Sequence, residues 1–297
     1  MRRIVFVLIL SAAFTAIAQK PLMPADKDLP ARKSIEVLGQ KISYYDTGNG
    51  PVLVLVHGLG GQARFDFGNS LVALAKDHRV IAMDQIGFGE SSKPEIDYSI
   101  QTFIVFLGQF LQQLKVHEFA LAGESLGGWI VSQYTIQALD AGNVGPHALP
   151  RPSRLIIIDA AGLEPIHSKV TPGIAGAPDE MGVVRFIFYN KARVTDEFLR
   201  DYWVDKMQIN DGYTIKSIMG NPRLEKEVVK DKLAKITIPT LVVWGANDDL
   251  LKPDEGRAYA AGIPGAKLTF IPECGHVPAA EQPEKFVAAV EEFLSTK

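Results

Sequence analysis

The stretch VLVLVH, Val52 to His57, is apolar at five consecutive positions and rich in β-branched residues. It has no alternation of polar and apolar positions, so neither face can be turned to water. A strand of this kind belongs inside a sheet that is covered on both sides. The same character returns in RVIAMD (Arg79 to Asp84), FALAG (Phe119 to Gly123), RLIIID (Arg154 to Asp159), TLVVWG (Thr240 to Gly245) and KLTFI (Lys267 to Ile271). ISYYDT (Ile42 to Thr47) precedes them, ahead of a turn at Gly48 to Pro51. Helical patterns lie between: IQTFIVFLGQFLQQL from Ile100, LGGWIVSQYTIQALDAG from Leu126, PDEGRAYAAG from Pro253 and PEKFVAAVEEFL from Pro283. The last two open on proline, which suits a first helical position. Strands alternating with helices predict an α/β fold, a mostly parallel sheet covered by helices on both faces. No internal repeat is visible.

One region interrupts the alternation. Between Asp159 and Pro239 about eighty residues lack a buried-strand pattern and carry VRFIFYN, EFLRDYWVDKM and YTIKSIMG instead. Their aromatic residues and methionines recur at roughly helical spacing, which suits packing against the core. The insertion also follows a strand whose C-terminal end faces any active site, so a helical lid over a pocket is expected.

The first residues read as a secretory signal. Arg2 and Arg3 form a basic start, Ile4 to Ala18 is apolar, and Ala16-Ile17-Ala18 forms a cleavage motif. The apolar run is shorter than the roughly 20 residues of a membrane span. Export to the periplasm or medium is therefore expected, with no stable membrane anchor after cleavage. The resulting organisation is a cleaved signal over 1–18, a linker or N-terminal arm over 19–33, core over 34–160, lid over 161–236 and core again over 237–297. The proline-rich stretch Lys20 to Ser34 is the arm. Cys274 is the single cysteine, so an exported chain would rely on packing without an internal disulfide. A net charge of -3 without a long basic run argues against nucleic-acid partners.

The chemistry centres on Gly123-Glu124-Ser125-Leu126-Gly127, between a strand and a helix. A sharp turn there lifts the serine above the sheet, the glycines relieve crowding, and the Leu126 N–H points into the same space. A serine needs a base to become a nucleophile, and donors for the oxyanion that forms. Of six histidines, His57 and His276 lie at the C-terminal edge of the strands. His57 reads as structural and His276 as the base. Three acids compete to orient it: Asp248, its neighbour Asp249, and Asp159 at the end of RLIIID. Glu124 reads as a structural pair at the edge of the site, and Cys274 as packing. No residue cluster has metal-ligand spacing, and no phosphate loop or dinucleotide fingerprint occurs.

The motifs HGLGG (57–61), DQIGFGES (84–91), GESLGG (123–128), WGANDD (244–249) and GHVPAAEQP (275–283) together resemble the α/β-hydrolase superfamily, in particular its lid-bearing serine hydrolases. The resemblance covers Val37 to Leu294, loosely in the insertion. It implies a helical lid after the sixth strand, with Ser125 as nucleophile, His276 as base and Asp248 as orienting acid, in the order Ser, Asp, His. It also implies backbone N–H donors at Leu59 and Leu126, and a supporting role for 84–91. Serine at 125 argues against the dehalogenase and epoxide-hydrolase relatives, which carry a carboxylate there. The expected activity is cleavage of a small carboxylic ester or related carbonyl compound through an acyl-enzyme, without cofactor or metal. The alternatives are a carbon–carbon bond hydrolase of the meta-cleavage type, a perhydrolase or haloperoxidase-like side activity, and a non-catalytic binding protein on the same fold.

Overall fold

A computed structural model describes residues 21–165 and 180–296. The expected signal segment 1–18 and His167 lie outside the described residues. Eight strands form one sheet: β1 (Lys33–Val37), β2 (Gln40–Thr47), β3 (Val52–Val56), β4 (Arg79–Met83), β5 (Phe119–Glu124), β6 (Arg154–Ile158), β7 (Thr240–Gly245) and β8 (Lys267–Ile271). Their order is β1-β2-β4-β3-β5-β6-β7-β8. β1 pairs antiparallel with β2, and β2 with β4; the remaining pairs are parallel. β1 is a strand the apolar runs did not announce. It is an edge strand with mostly exposed side chains, and it lacks the signal of the buried ones.

The helices of the core are α1 (Ala63–Leu74), α2 (Ile100–Gln113) and α3 (Leu126–Leu139). After β6 come the helices of the insertion, α4 (Glu180–Ile187), α5 (Asp196–Ile209), α6 (Gly212–Met219) and the short α7 (Leu224–Glu227). The core resumes with α8 (Pro253–Gly262), the short α9 (Pro278–Glu281) and α10 (Pro283–Ser295). No helix among the described residues is long and apolar enough to cross a membrane.

Alternate strand residues feed two apolar layers, as the pleat requires. Val54, Val56, Ile81, Leu121, Ile157 and Val242 pack with Phe103, Ile130 and Tyr134 of α2 and α3. Leu53, Leu55, Val80, Ile156 and Val243 pack on the other face with Phe67 and Leu71 of α1 and Phe286 and Phe293 of α10. Each of these phenylalanines is almost fully buried, a contribution of about 2–3 kcal/mol apiece. α2 begins in a capping box: Ser99 Oγ accepts from Thr102 N, and Ser99 N donates to Thr102 Oγ1. The carboxylate of Glu227 on α7 accepts from the next two amides, of Ile100 and Gln101, at 2.9 and 3.1 Å. The end of the insertion is thereby tied to the start of a core helix. A third apolar cluster joins the insertion to the N-terminal arm, with Leu22 against Phe65, Phe188 and Tyr202.

β3 lies between β4 and β5, its two successors in the chain. The chain leaves β3 to one side through α1 and returns to the other side through α2. The loops after β3 and β5 therefore diverge and leave a crevice at the C-terminal edge, where ligands bind in open α/β sheets.

Candidate active site

Ser125 occupies that edge, between β5 and α3, with φ 54° and ψ −117°. A positive φ on serine is strained, and the surrounding backbone holds it. Ser125 N donates to Ile158 O at 2.9 Å, and Ser125 O accepts from Ala161 N at 3.0 Å and Trp129 N at 3.2 Å. The glycines have a steric cause: a Cβ on Gly123 would lie 2.3 Å from Gly127 O, and one on Gly127 would lie 2.2 Å from Val56 O. Both obstacles are backbone and cannot swing away. Gly127→Ala is expected to destabilise the protein by about 3 kcal/mol or more, read as a lowered urea midpoint. An unchanged midpoint would contradict this packing.

His276 follows β8, and its imidazole bridges the two other groups. Its Nε2 lies 3.0 Å from Ser125 Oγ, and its Nδ1 lies 2.7 Å from Asp248 Oδ2. Asp248, in the loop after β7, is buried; its Oδ1 accepts from Leu250 N at 2.8 Å and Leu251 N at 3.0 Å. With that carboxylate accepting, Nδ1 carries the proton and Nε2 faces the serine hydroxyl as an acceptor. Of the competing acids, Asp249 is exposed and pairs with Lys252 at 2.7 Å. Asp159 is fully buried, and its Oδ1 accepts from Gly245 N at 2.8 Å. Burial first, and the charge of Asp248 next, hold the Asp159 carboxyl well above its usual range. Among the described residues Asp159 Oδ2 has no N–H or hydroxyl donor. A side-chain hydrogen bond with Asp248 raises the Asp159 pKa further.

The loop after β3 runs beside Ser125. Gly61 N donates to Gly58 O at 3.3 Å, and Gly60 has φ 67°, the pattern of a type II turn with glycine at its third position. His57 is structural, as its position suggested. Its Nδ1 donates to Gly58 O at 2.8 Å, and its Nε2 accepts from Gln85 N at 2.9 Å. Gly58 N donates to Asp66 Oδ2 at 2.6 Å. The Leu126 N–H is the first amide of α3, where no intrahelical acceptor exists. The 84–91 segment supports this edge: buried Asp84 accepts from Ala63 N and Glu90 N, each at 2.9 Å, and pairs with Arg32 at 2.7 Å.

Glu124 does more than sit at the rim. It is buried between Asp66 and the imidazole, with Oε1 3.7 Å from His276 Nε2. Burial, and then the adjacent Asp66 carboxylate, with which it also shares a hydrogen bond, raise its pKa well above the ordinary range. The folded state thus keeps a proton that the unfolded chain releases, so stability falls as pH rises from the ordinary carboxylate range towards the folded value. Glutamine mimics the protonated form. Glu124→Gln is expected to gain stability relative to wild type between pH 5 and pH 8, by urea denaturation at both values. An equal difference at both would contradict a protonated Glu124.

Glu281 is a buried acid to which the sequence reading gave no role. Its carboxylate accepts from Gly275 N at 2.7 Å, Asn190 N at 2.8 Å and Tyr189 N at 3.1 Å, binding the His276 loop to the segment after α4. His276 N itself donates to Ile187 O at 2.7 Å. Cys274 is packed in the core, and burial pushes its thiol up, away from thiolate chemistry.

A cavity of about 420 Å³ opens above Ser125, walled by Phe65, Val184, Ile187, Tyr202, Ile215, Met219 and Leu251. Its size suits a small organic molecule. Among the described residues the wall carries the carboxyls of Asp66, Glu124 and Glu164 and no Lys or Arg. Glu164 pairs with Lys230 at 2.6 Å.

A profile of the alpha/beta hydrolase family matches residues 53–290, and the chain belongs to that family. A 2-hydroxy-6-oxo-6-(2'-aminophenyl)hexa-2,4-dienoic acid hydrolase from Metapseudomonas resinovorans is 27% identical over 275 residues, covering 87% of this chain and 89% of the relative. Lipase 1 of Psychrobacter immobilis is 26% identical, over 86% of this chain and 80% of its own length. Among solved structures, a meta-cleavage product hydrolase from Pseudomonas fluorescens IP01 superposes with a TM-score of 0.75 at 24% identity, covering 90% of this chain and 98% of that one. This last likeness shows the shared fold.

Proposed function

We propose that the chain is an exported serine hydrolase that cleaves carboxylic esters. Ser125 attacks the carbonyl while His276 Nε2 takes its proton, and Asp248 stabilises the imidazolium. The N–H groups of Leu59 and Leu126 receive the oxyanion. His276 then protonates the leaving alcohol, and water releases the acid from the acyl-enzyme by the same route. The reaction needs no cofactor. The observation that carries this reading is the continuous Ser125–His276–Asp248 hydrogen-bond chain at the base of an apolar cavity. Export rests on the pattern of residues 1–18.

The names of two similar proteins favour a second reading, carbon–carbon bond hydrolysis. A dienoic acid substrate brings a carboxylate, and burying it beside Asp66, with no Lys or Arg among the described wall residues, would be costly. A neutral ester meets no such penalty. Comparing kcat/KM on p-nitrophenyl esters of graded chain length and on a vinylogous diketone acid separates the two. The ester reading expects the best ester to exceed the diketone acid by about 10²-fold or more, and the reverse order would replace it. A binding protein without catalysis would turn over neither.

A further inference from the structure

Two consecutive residues of the lid helix α5 grip the loop that carries Leu59. Asp205 accepts from the side chains of Gln62 and Arg64, immediately beyond that loop. Lys206 is 6% exposed, and its Nζ donates to the Gly60 carbonyl at 2.9 Å and to Asp211 at 2.5 Å. A lysine is rarely buried this far unless its charge is matched. Here Asp211, itself 3% exposed, supplies the match, and a second ammonium hydrogen reaches the loop at the Gly60 carbonyl. The Gly58 end of the loop is held from the core, by His57 and Asp66. The Gly60 end is held from the lid. Gly60 has the left-handed φ of 67° and no side chain of its own to fix it. A Cβ placed on it would lie 3.5 Å from both Lys206 Nζ and Ile215 Cδ1, so the lid sits directly on this residue.

We propose that Lys206 is a positioning residue for catalysis: from the lid, it holds the Gly60 carbonyl and so fixes the turn in which the Leu59 N–H faces the oxyanion above Ser125. This rests on the reading of the site as a serine hydrolase. The lid is then part of the catalytic apparatus, in addition to walling the acyl cavity. Displacing a pre-aligned donor by about an ångström costs on the order of 10²-fold in rate. Because the oxyanion exists after attack and not in the bound ester, the loss falls on kcat and leaves KM nearly unchanged.

The test compares wild type with Lys206→Met and with the double variant Lys206→Met, Asp211→Asn, in which both charges of the Lys206–Asp211 pair are removed together. Three readouts are taken: kcat and KM on a short p-nitrophenyl ester, the inhibition constant of an alkyl boronic acid, and the rate of fluorophosphonate labelling at Ser125. The boronate and the phosphonylation transition state both place an oxygen where the oxyanion forms. The expected result, in the double variant above all, is a kcat lower by about 10- to 100-fold and a KM within about threefold. Boronate affinity and labelling rate are expected to fall in parallel with kcat. A kcat within about twofold of wild type overturns the proposal, and so does a loss carried by KM with boronate affinity unchanged. Failure of wild type itself to label at Ser125 would overturn the hydrolase reading, and the role of Lys206 with it.

Discussion

Ser125→Ala is expected to lower ester hydrolysis by about 10⁴-fold or more while the protein stays folded. Among the described residues the hydroxyl accepts no backbone donor and caps no helix amide; its partner is His276 Nε2. The strained turn is held by the backbone of Ser125 and by the flanking glycines, all of which survive the change. The side chain can therefore be removed without unfolding the elbow. Thermal unfolding within a few degrees of wild type, together with the loss of activity, would locate the effect in chemistry. Retention of more than a few per cent of activity would remove Ser125 from the mechanism.

Asp248→Asn is expected to cost a comparable factor, about 10⁴ in kcat, for a different reason. The amides of Leu250 and Leu251 both donate to Oδ1, so an asparagine must place its oxygen there. Its NH2 group then faces His276 Nδ1. The imidazole has to accept at Nδ1 and carry its proton on Nε2, the tautomer that cannot deprotonate serine. Asp159→Asn gives the contrast. Burial raises the Asp159 pKa and so favours its protonated form, and an asparagine whose oxygen accepts from Gly245 N presents an N–H to Asp248 as that acid does. This variant is expected to keep kcat within about tenfold of wild type. Measured side by side on one ester, a large loss in Asp159→Asn and a small one in Asp248→Asn would reverse the two assignments.

The sheet and its two covering layers were legible because its central strands are apolar on both faces, a pattern that water excludes from other settings. α1 was not. Nine of its twelve residues are buried, from Ala63 to Leu74, so ARFDFGNSLVAL shows no polar face and no helical period. β1 was hidden for the opposite reason, being an exposed edge. Ser125, His276 and Asp248 were visible by motif and order; the residues alone kept Asp159 and Asp249 as rivals, and the structure places Asp248 2.7 Å from His276 Nδ1 and Asp249 on Lys252. Asp248 and Asp159 are equally buried, and what separates them is the donors each accepts: two backbone amides and His276 for Asp248, one amide for Asp159. Asp66, Lys206 and Glu281 had no role assigned from the sequence. Asp66 lies in the unannounced α1, Lys206 in an inserted helix and Glu281 within GHVPAAEQP, and each becomes informative once it is seen buried against the backbone of the site.

The measurement that most directly tests the account is a quenched-flow experiment with p-nitrophenyl acetate. The protein is stopped by acid within the first turnover, digested, and its peptides weighed. The account predicts an acetyl group on the peptide bearing Ser125, formed in step with a burst of nitrophenolate and absent from Ser125→Ala. Steady hydrolysis with no acetyl on that peptide, or with the group on another residue, would contradict it.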